Sequence, residues 1–318
     1  MCRRSDLRPA ALLFFLPCDR GWVPQPSFRE MTITEDHGPK GLSIVMMTLL
    51  SFAFAASLTP GRAGTALESE PSSPPTTKTN RTSPRGRTPV LRAQNPRIEL
   101  VRIRPGSFMM GSTEAGTFEK PAHRVTISYA FFMGKYEVTQ AQWQAVMGNN
   151  PSRFKGPRLP VECVTWDDTQ AFIAKLNEFH DGFLYHLPTE AEWEYVVRAG
   201  TNTEFPGEVN SLGWNYSNSG DHTHPVGTRN ANAFGIYDLH GNVWEWCQDW
   251  YHPTYDGAPT DGSAWLTGGE MKARVVRGGA FPDNAEYAAR SAFRGSASPD
   301  YKLDGFGGFR VAAVARKR

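Results

Sequence analysis

The sequence predicts an α+β domain with much irregular structure, beginning near Arg97. Three observations predict it: three helix-like segments that each open with a capping pattern, a scatter of short strand-like runs, and 30 Gly with nine Trp in 318 residues. Large aromatics set between glycine-rich turns suit loops packed on a core better than a helical bundle. Hydrophobic residues make up 40% and charged ones 21%, the balance of a soluble globular chain able to bury a sizeable core.

The elements follow in order. From Arg97 the run IELVRI alternates apolar and charged residues, as a strand does. Thr139 and Gln142 form a capping box that opens the first helix, with Trp143, Val146 and Met147 on one face. Thr165 and Asp168 open the second, with Ala171, Phe172, Leu176 and Phe179 expected inward. Thr189 and Glu192 open the third, with Trp193, Val196 and Val197 inward, and Gly200 is placed to end it in a left-handed cap. Beyond Gly200 no long helical period recurs. Short apolar runs such as RVVRGG and GFRVAA lie between turns rich in Gly, Asn and Asp.

The amino-terminal part has a different character. Leu42–Leu58 carries no charge, follows Lys40 and contains Ala53-Phe54-Ala55, the small-x-small pattern of a signal-peptidase site. At 17 residues it is short for a membrane span, so a cleaved signal is expected, with an uncleaved anchor as the alternative. Its distance from Met1 suggests that translation starts at Met31. Residues 1–59 are therefore read as an extension plus signal, and 60–96, rich in Pro, Ser, Thr and Arg, as a disordered linker. The domain is 97–318.

Charge divides the same way. Residues 1–96 hold 12 of the 34 basic and 7 of the 32 acidic side chains, which leaves 22 and 25 for the domain. A mildly acidic domain gives no electrostatic case for nucleic acid. Export places Cys163 and Cys247 in an oxidising compartment, either as a disulfide or as two separate buried thiols. His222 and His224 form an H-x-H pair in a polar loop, short of the three or four ligands a zinc site needs.

Nine segments in order carry a resemblance: GSFMMGS (106–112), HRVTIS (123–128), GKYEVTQAQW (134–143), PVECVTWDDTQAF (160–172), LPTEAEWEY (187–195), the long run 224–251 ending in GNVWEWCQDWY, VRGGAF (276–281), RSAFR (290–294) and GFGGFRVA (305–312). They resemble the sulfatase-modifying-factor family, to which the formylglycine-generating enzymes belong. The resemblance covers nearly all of 97–318. It implies a C-type-lectin-like fold with small twisted antiparallel sheets, a few helices and many loops.

The loop from Asp238 to Glu245 is the best metal candidate on its own residues. Calcium takes several oxygens at flexible spacing, from carboxylates and carbonyls alike, and one curved loop with two acids, Gly and Asn can supply both. The resemblance implies a structural calcium held by Asp238, Gly241, Val243 and Glu245. The alternative is that Asp238 and Asn242 shape a turn and Glu245 pairs with a base. A second calcium, which many relatives hold, has a shortened counterpart here in 210–221.

The family's oxidases convert a substrate cysteine to formylglycine with one Cu(I) on two cysteines five apart, shortly after an RGG turn. Soft thiolates are what Cu(I) requires. After Arg277-Gly278-Gly279 the matching positions here are Asp283 and Ala288, and no cysteine lies between Cys247 and the end. Copper chemistry by this route is not expected.

Residues 281–304 replace the catalytic stretch with a mixture of Asp, Asn, Tyr, Arg and Ser that suits a ligand-facing surface. Trp244, whose counterpart lies near the active cleft of the copper enzymes, joins Asp283, Asn284, Tyr287 and Arg290 as ligand-binding candidates. Arg290, Arg294 and Arg310 are alternatively internal ion-pair partners, and Trp246 and Trp250 are assigned to core packing. The sequence thus predicts an exported, periplasmic or secreted binding or accessory module for a protein or peptide of the cell envelope, touching the membrane only through 42–58 if at all. The competing reading is an enzyme that modifies an exported protein, whether a sulfatase-maturation-like oxidase or another metal-dependent activity. The residues leave open whether the chain is catalytic.

Overall fold

The computed structural model describes residues 95–268 and 272–317. The readings of 1–59 and of most of 60–96 fall outside the described residues. Among the described residues, ten short strands and five α-helices build the domain. They run β1 (Leu100–Ile103), β2 (Gly106–Met110), β3 (His123–Ile127), β4 (Phe131–Gly134), α1 (Gln140–Met147), α2 (Trp166–Asn177), β5 (Phe183–His186), α3 (Glu190–Arg198), α4 (Val209–Leu212), β6 (Trp244–Trp250), β7 (Arg274–Arg277), α5 (Ala285–Ala288), β8 (Gly295–Ala297), β9 (Gly307–Gly308) and β10 (Ala312–Ala315). The mixed α+β class and the small sheets match expectation.

One sheet has the order β1-β4-β10-β5, all antiparallel, so the carboxyl-terminal strand is clamped between elements from the start and middle of the domain. β2 and β3 pair as a separate ribbon. The third sheet, β8-β7-β6-β9, is antiparallel except where β9 runs parallel to β6. A register shift between Trp246 and Trp250 interrupts the β6–β7 ladder. RVVR supplies β7 whole, and all four of its residues are buried.

The three long helices begin where the sequence places them. At Thr139, Thr165 and Thr189 the hydroxyl accepts from the backbone N–H three residues on, and the Gln or acid there accepts back from the threonine N–H. Two free amides at each helix start are thereby satisfied. The inward faces differ in detail. In α2, Ile173 is buried and Ala171 is exposed, because the buried stripe runs through Thr169, Phe172, Ile173 and Leu176. In α3, Ala199 takes the left-handed cap at φ 44°, one residue ahead of Gly200, itself at φ 91°.

Two apolar clusters fill the domain. In one, Trp143 stacks on Phe172 at 5.4 Å and 4°, and Phe309 meets both edge-on. In the other, Trp193, Val196 and Val197 of α3 pack with Phe131, Met133 and Ile127. α3 also buries Glu190, Glu192 and Glu194. Trp246 is fully buried and donates to the Val164 carbonyl, as core packing requires, whereas Trp250 is half-buried with the Arg274 guanidinium over its ring at 3.4 Å. Cys163 and Cys247 are free thiols, the second fully buried, so the disulfide alternative does not hold. No described helix is long and apolar enough to cross a membrane.

Candidate functional site

The loop 238–243 enters β6 through three left-handed residues, Asp238 at φ 60°, Gly241 at φ 142° and Asn242 at φ 67°. Gly241 is required: a Cβ there would lie 2.1 Å from the Trp214 carbonyl oxygen. The turn delivers Glu245 into the interior. Its Oε2 accepts from Arg310 Nε at 2.7 Å and from Trp193 Nε1 at 2.7 Å, and its Oε1 accepts from Arg310 Nη2. This is the base-pairing alternative for Glu245. Gln or Lys in place of Arg310 could not reproduce the two-pronged contact.

Glu137 and Asp238 lie in the same buried region. Glu137 accepts from Asn242 Nδ2 at 2.6 Å and from Val243 N–H at 3.2 Å. Asp238 Oδ2 accepts from Gly227 N–H at 2.7 Å, while Oδ1 is buried with no hydrogen-bond partner. Three carboxyls thus face one guanidinium. Desolvation, then the neighbouring carboxylates, hold Glu137 well above the usual carboxylate range; burial pushes Asp238 up to about 6. Asp238, with its orphan oxygen in an acid-rich pocket, suits a divalent cation. Glu245 as placed is spent on Arg310 and Trp193. Among the described residues no three His, Cys, Asp or Glu side chains converge as a metal site.

The replaced catalytic stretch folds as a turn and α5. Asp283 Oδ2 accepts from Ala280 N–H at 2.8 Å, and the Trp244 indole lies beside the same carboxyl. Burial pushes this carboxyl up to about 6. Asn284 caps α5, its Oδ1 accepting from Glu286 N–H at 2.9 Å, and its side chain is exposed. Ala288 is buried and offers no donor atom. Tyr287 is 44% exposed and packs on Phe293 at 4.9 Å. Phe293 also meets Trp244 at 6.0 Å. Tyr216, 75% exposed, borders the same surface through its N–H bond to the Asp283 carbonyl at 3.0 Å. Trp244, Asp283, Asn284 and Tyr287 therefore form one continuous patch, half-buried at Trp244 and open at Asn284 and Tyr287.

Arg290 joins that patch through Phe293, 5.5 Å from its guanidinium, and through Nε, which donates to the Tyr287 carbonyl at 3.2 Å. The guanidinium itself grips Glu119 at 3.0 and 2.6 Å and is buried, which is the internal-pair alternative. Arg294 grips Glu190 in the same way at 2.6 and 2.7 Å, and Arg310 grips Glu245. No local sequence pattern marks Glu119 or Glu245 as the buried acids that receive these forks. Glu190 and Glu194, four residues apart in α3 and both buried, have a spacing that could have pointed to them. Arg277, fully buried, bonds Glu194 and three carbonyls. His224 stacks on Trp214 at 3.6 Å and 9° and bonds the Ser219 carbonyl, so the H-x-H pair is used in packing.

A family model described as "Sulfatase-modifying factor enzyme 1-like domain" matches residues 87–315. The chain is 34% identical to the chaperone protein LppX of Paenibacillus barcinonensis over 49% of this chain and 73% of that protein. It is 33% identical to the formylglycine-generating enzyme of Streptomyces coelicolor over 55% of this chain and 59% of that protein. It is 30% identical to the serine/threonine-protein kinase pkn1 of Chlamydia caviae over 57% of this chain but only 32% of that protein. Among solved structures, PvdO of Pseudomonas aeruginosa superposes with a TM-score of 0.63 at 32% identity, covering 70% of this chain and 96% of PvdO. Variable protein 1 of Treponema denticola superposes with a TM-score of 0.62 at 29% identity, covering 69% and 95%.

Proposed function

The chain belongs to the sulfatase-modifying factor enzyme 1-like family, and from that premise we propose that it is an exported binding or accessory module rather than a copper oxidase. Its partner is a protein or peptide of the cell envelope, met at the patch of Trp244, Asp283, Asn284 and Tyr287. One observation carries this reading. Where the oxidases hold copper, this chain presents a largely buried carboxyl beside an indole, and a buried methyl group. A hard oxygen and an alanine cannot hold Cu(I) as two thiolates do. Cys247 is fully buried, and burial pushes its thiol well above the ordinary range; Cys163 is likewise raised by burial, to about 12. Neither thiol is available as a thiolate at neutral pH.

An open aromatic surface beside polar groups favours recognition of another chain: tyrosine and tryptophan give contact area at low entropic cost. The name of the Paenibacillus barcinonensis relative, a chaperone protein, agrees with an accessory role. Export rests on the 42–58 segment. A calcium ion is part of the proposal, with Asp238 and the Gly241 and Val243 carbonyls as its holders and Glu245 retained by Arg310. Its charge would stabilise the fold by offsetting the excess of buried carboxylates.

The test is site-specific photo-crosslinking in intact cells, with the crosslinker at Tyr287. The expected result is a discrete adduct with an extracytoplasmic protein, lost in the Trp244→Ala variant. No adduct, or adducts with cytoplasmic proteins only, contradicts the reading.

A further inference from the structure

Among the described residues six arginines are buried, and five of them close on a glutamate. Arg198 and Arg277 share Glu194, while Arg290, Arg294 and Arg310 take Glu119, Glu190 and Glu245. Arg274, the first residue of β7, is the exception. It is 8% exposed, and no carboxylate among the described residues lies within ion-pairing distance of it. A buried charge without a counter-ion is costly.

Two indoles offset part of that cost. The ring centres of Trp166 and Trp250 lie 3.9 and 3.4 Å from the guanidinium carbon. Rings that close cannot share one face of a guanidinium, so the group is held between them. Both rings are half-buried, and the slot they make opens at the surface. The hydrogen bonding of Arg274 is incomplete. Nη1 donates to the Gln248 carbonyl at 2.8 Å, Nε is buried with no partner, and Nη2 bonds nothing among the described residues. In Arg198, Arg294 and Arg310 the same Nε–Nη2 edge grips a glutamate. In Arg274 that edge is unfilled.

Two carboxylates act on Arg274 from a distance, Asp249 and Asp167. Asp249 is buried and already accepts from the Glu190 and Trp265 N–H groups at 2.8 and 2.7 Å. Asp167 is exposed in the first turn of α2, where the free helix amides favour an acid. Burial, opposed by these two, leaves Arg274 below its ordinary pKa range. Burial acts the same way at Arg277, Arg294 and Arg310, but there the paired glutamate prevails and the pKa is raised. The slot also selects its ligand. A planar carboxylate can lie in the guanidinium plane between the two rings and take both N–H bonds, whereas a tetrahedral phosphate cannot lie flat there. Asp167 opposes a doubly charged anion more than a singly charged one. We propose that Arg274, Trp166 and Trp250 form a site for a single carboxylate group, the chemistry shared by an acidic side chain and a free small acid. Its occupancy is independent of the partner met at the Trp244 patch.

Titration of the nitrogen-15-labelled full chain at low salt, followed by the tryptophan indole signals, tests this. N-acetyl-glutamate methylamide stands for an acidic side chain and acetate for a free acid. The Trp250 signal, identified by its loss in Trp250→Phe, should shift saturably with at least one of them. The probe that binds more tightly identifies the source. N-acetyl-glutamine methylamide, the same shape without the charge, should bind at least about fivefold more weakly. Arg274→Lys, which keeps the charge and loses the fork, should weaken acid binding about fivefold or more. Asp167 is exposed, so Asp167→Asn is expected to keep the parent fold and to tighten acid binding about twofold by removing a like charge. That variant decides the matter if Arg274→Lys does not fold. Four results would overturn the site: no saturable shift with either acid, equal binding of the glutamine analogue, tighter binding of inorganic phosphate than of both acids, or unchanged affinity in the deciding variant.

Discussion

The Trp244 indole lies beside the Asp283 carboxyl and favours its charged form, setting β6 against the turn that stands where the oxidases bind copper. The same carboxyl anchors the Ala280 amide at 2.8 Å. Asp283 thus anchors the turn as well as forming part of the patch, and its carboxyl is largely buried.

That position sets a pH dependence. Burial pushes the Asp283 carboxyl up to about 6 from 3.8. The folded state then holds a proton that the unfolded chain releases, so this group's contribution to stability is full below about pH 4, declines as pH rises to about 6, and is level above that. Trp244 should report the titration: fluorescence is expected to change with a midpoint near pH 6, and Asp283→Asn should remove that step. A step of unchanged size in the variant contradicts the assignment.

Glu245 and Arg310 form a buried two-pronged pair. Arg310→Met should destabilise the domain by about 3–5 kcal/mol, because it leaves a buried carboxylate with Trp193 as its only direct hydrogen-bond donor. Removing both charges, as Glu245→Gln with Arg310→Met, should cost less than the single change. Urea unfolding of the two variants checks the order.

Thr189 does two jobs at the start of α3. Its hydroxyl accepts from Glu192 N–H at 3.0 Å and donates to the Gly262 carbonyl at 2.9 Å. Thr189→Ala should cost about 2 kcal/mol from the cap and the second bond together. Thr189→Ser keeps both and should restore most of the loss in the same unfolding measurement.

The proposed calcium has a direct readout. Calcium at a saturating level should raise the melting temperature over that in chelator, since binding the folded state alone adds stability by mass action. Asp238→Asn should abolish the difference. Equal melting temperatures with calcium and with chelator would contradict a calcium site.

What the sequence disclosed follows from the range of the interactions. The three capping boxes were legible because their partners lie three residues apart. Residue type points to Gly200 for the left-handed cap, whereas the chain already turns at Ala199. The buried ion pairs were not legible: Arg277 meets Glu194 across 83 residues and Arg294 meets Glu190 across 104, and no local pattern records such a meeting. For the same reason Arg290 reads as a ligand candidate in the sequence, while its partner, Glu119, lies 171 residues away. Periodicity alone reached an α+β class; the nine family segments supplied the architecture. Asp283 and Ala288 were identifiable because their place is fixed by the short RGG turn next to them.

The most direct measurement of the central claim is copper stoichiometry with oxygen uptake. The purified full chain would be loaded with Cu(I), desalted and offered a cysteine-containing peptide under oxygen. The account predicts no retained copper, no oxygen consumption and an unchanged peptide mass. One equivalent of retained copper, with oxygen uptake and conversion of the cysteine to formylglycine, would contradict it.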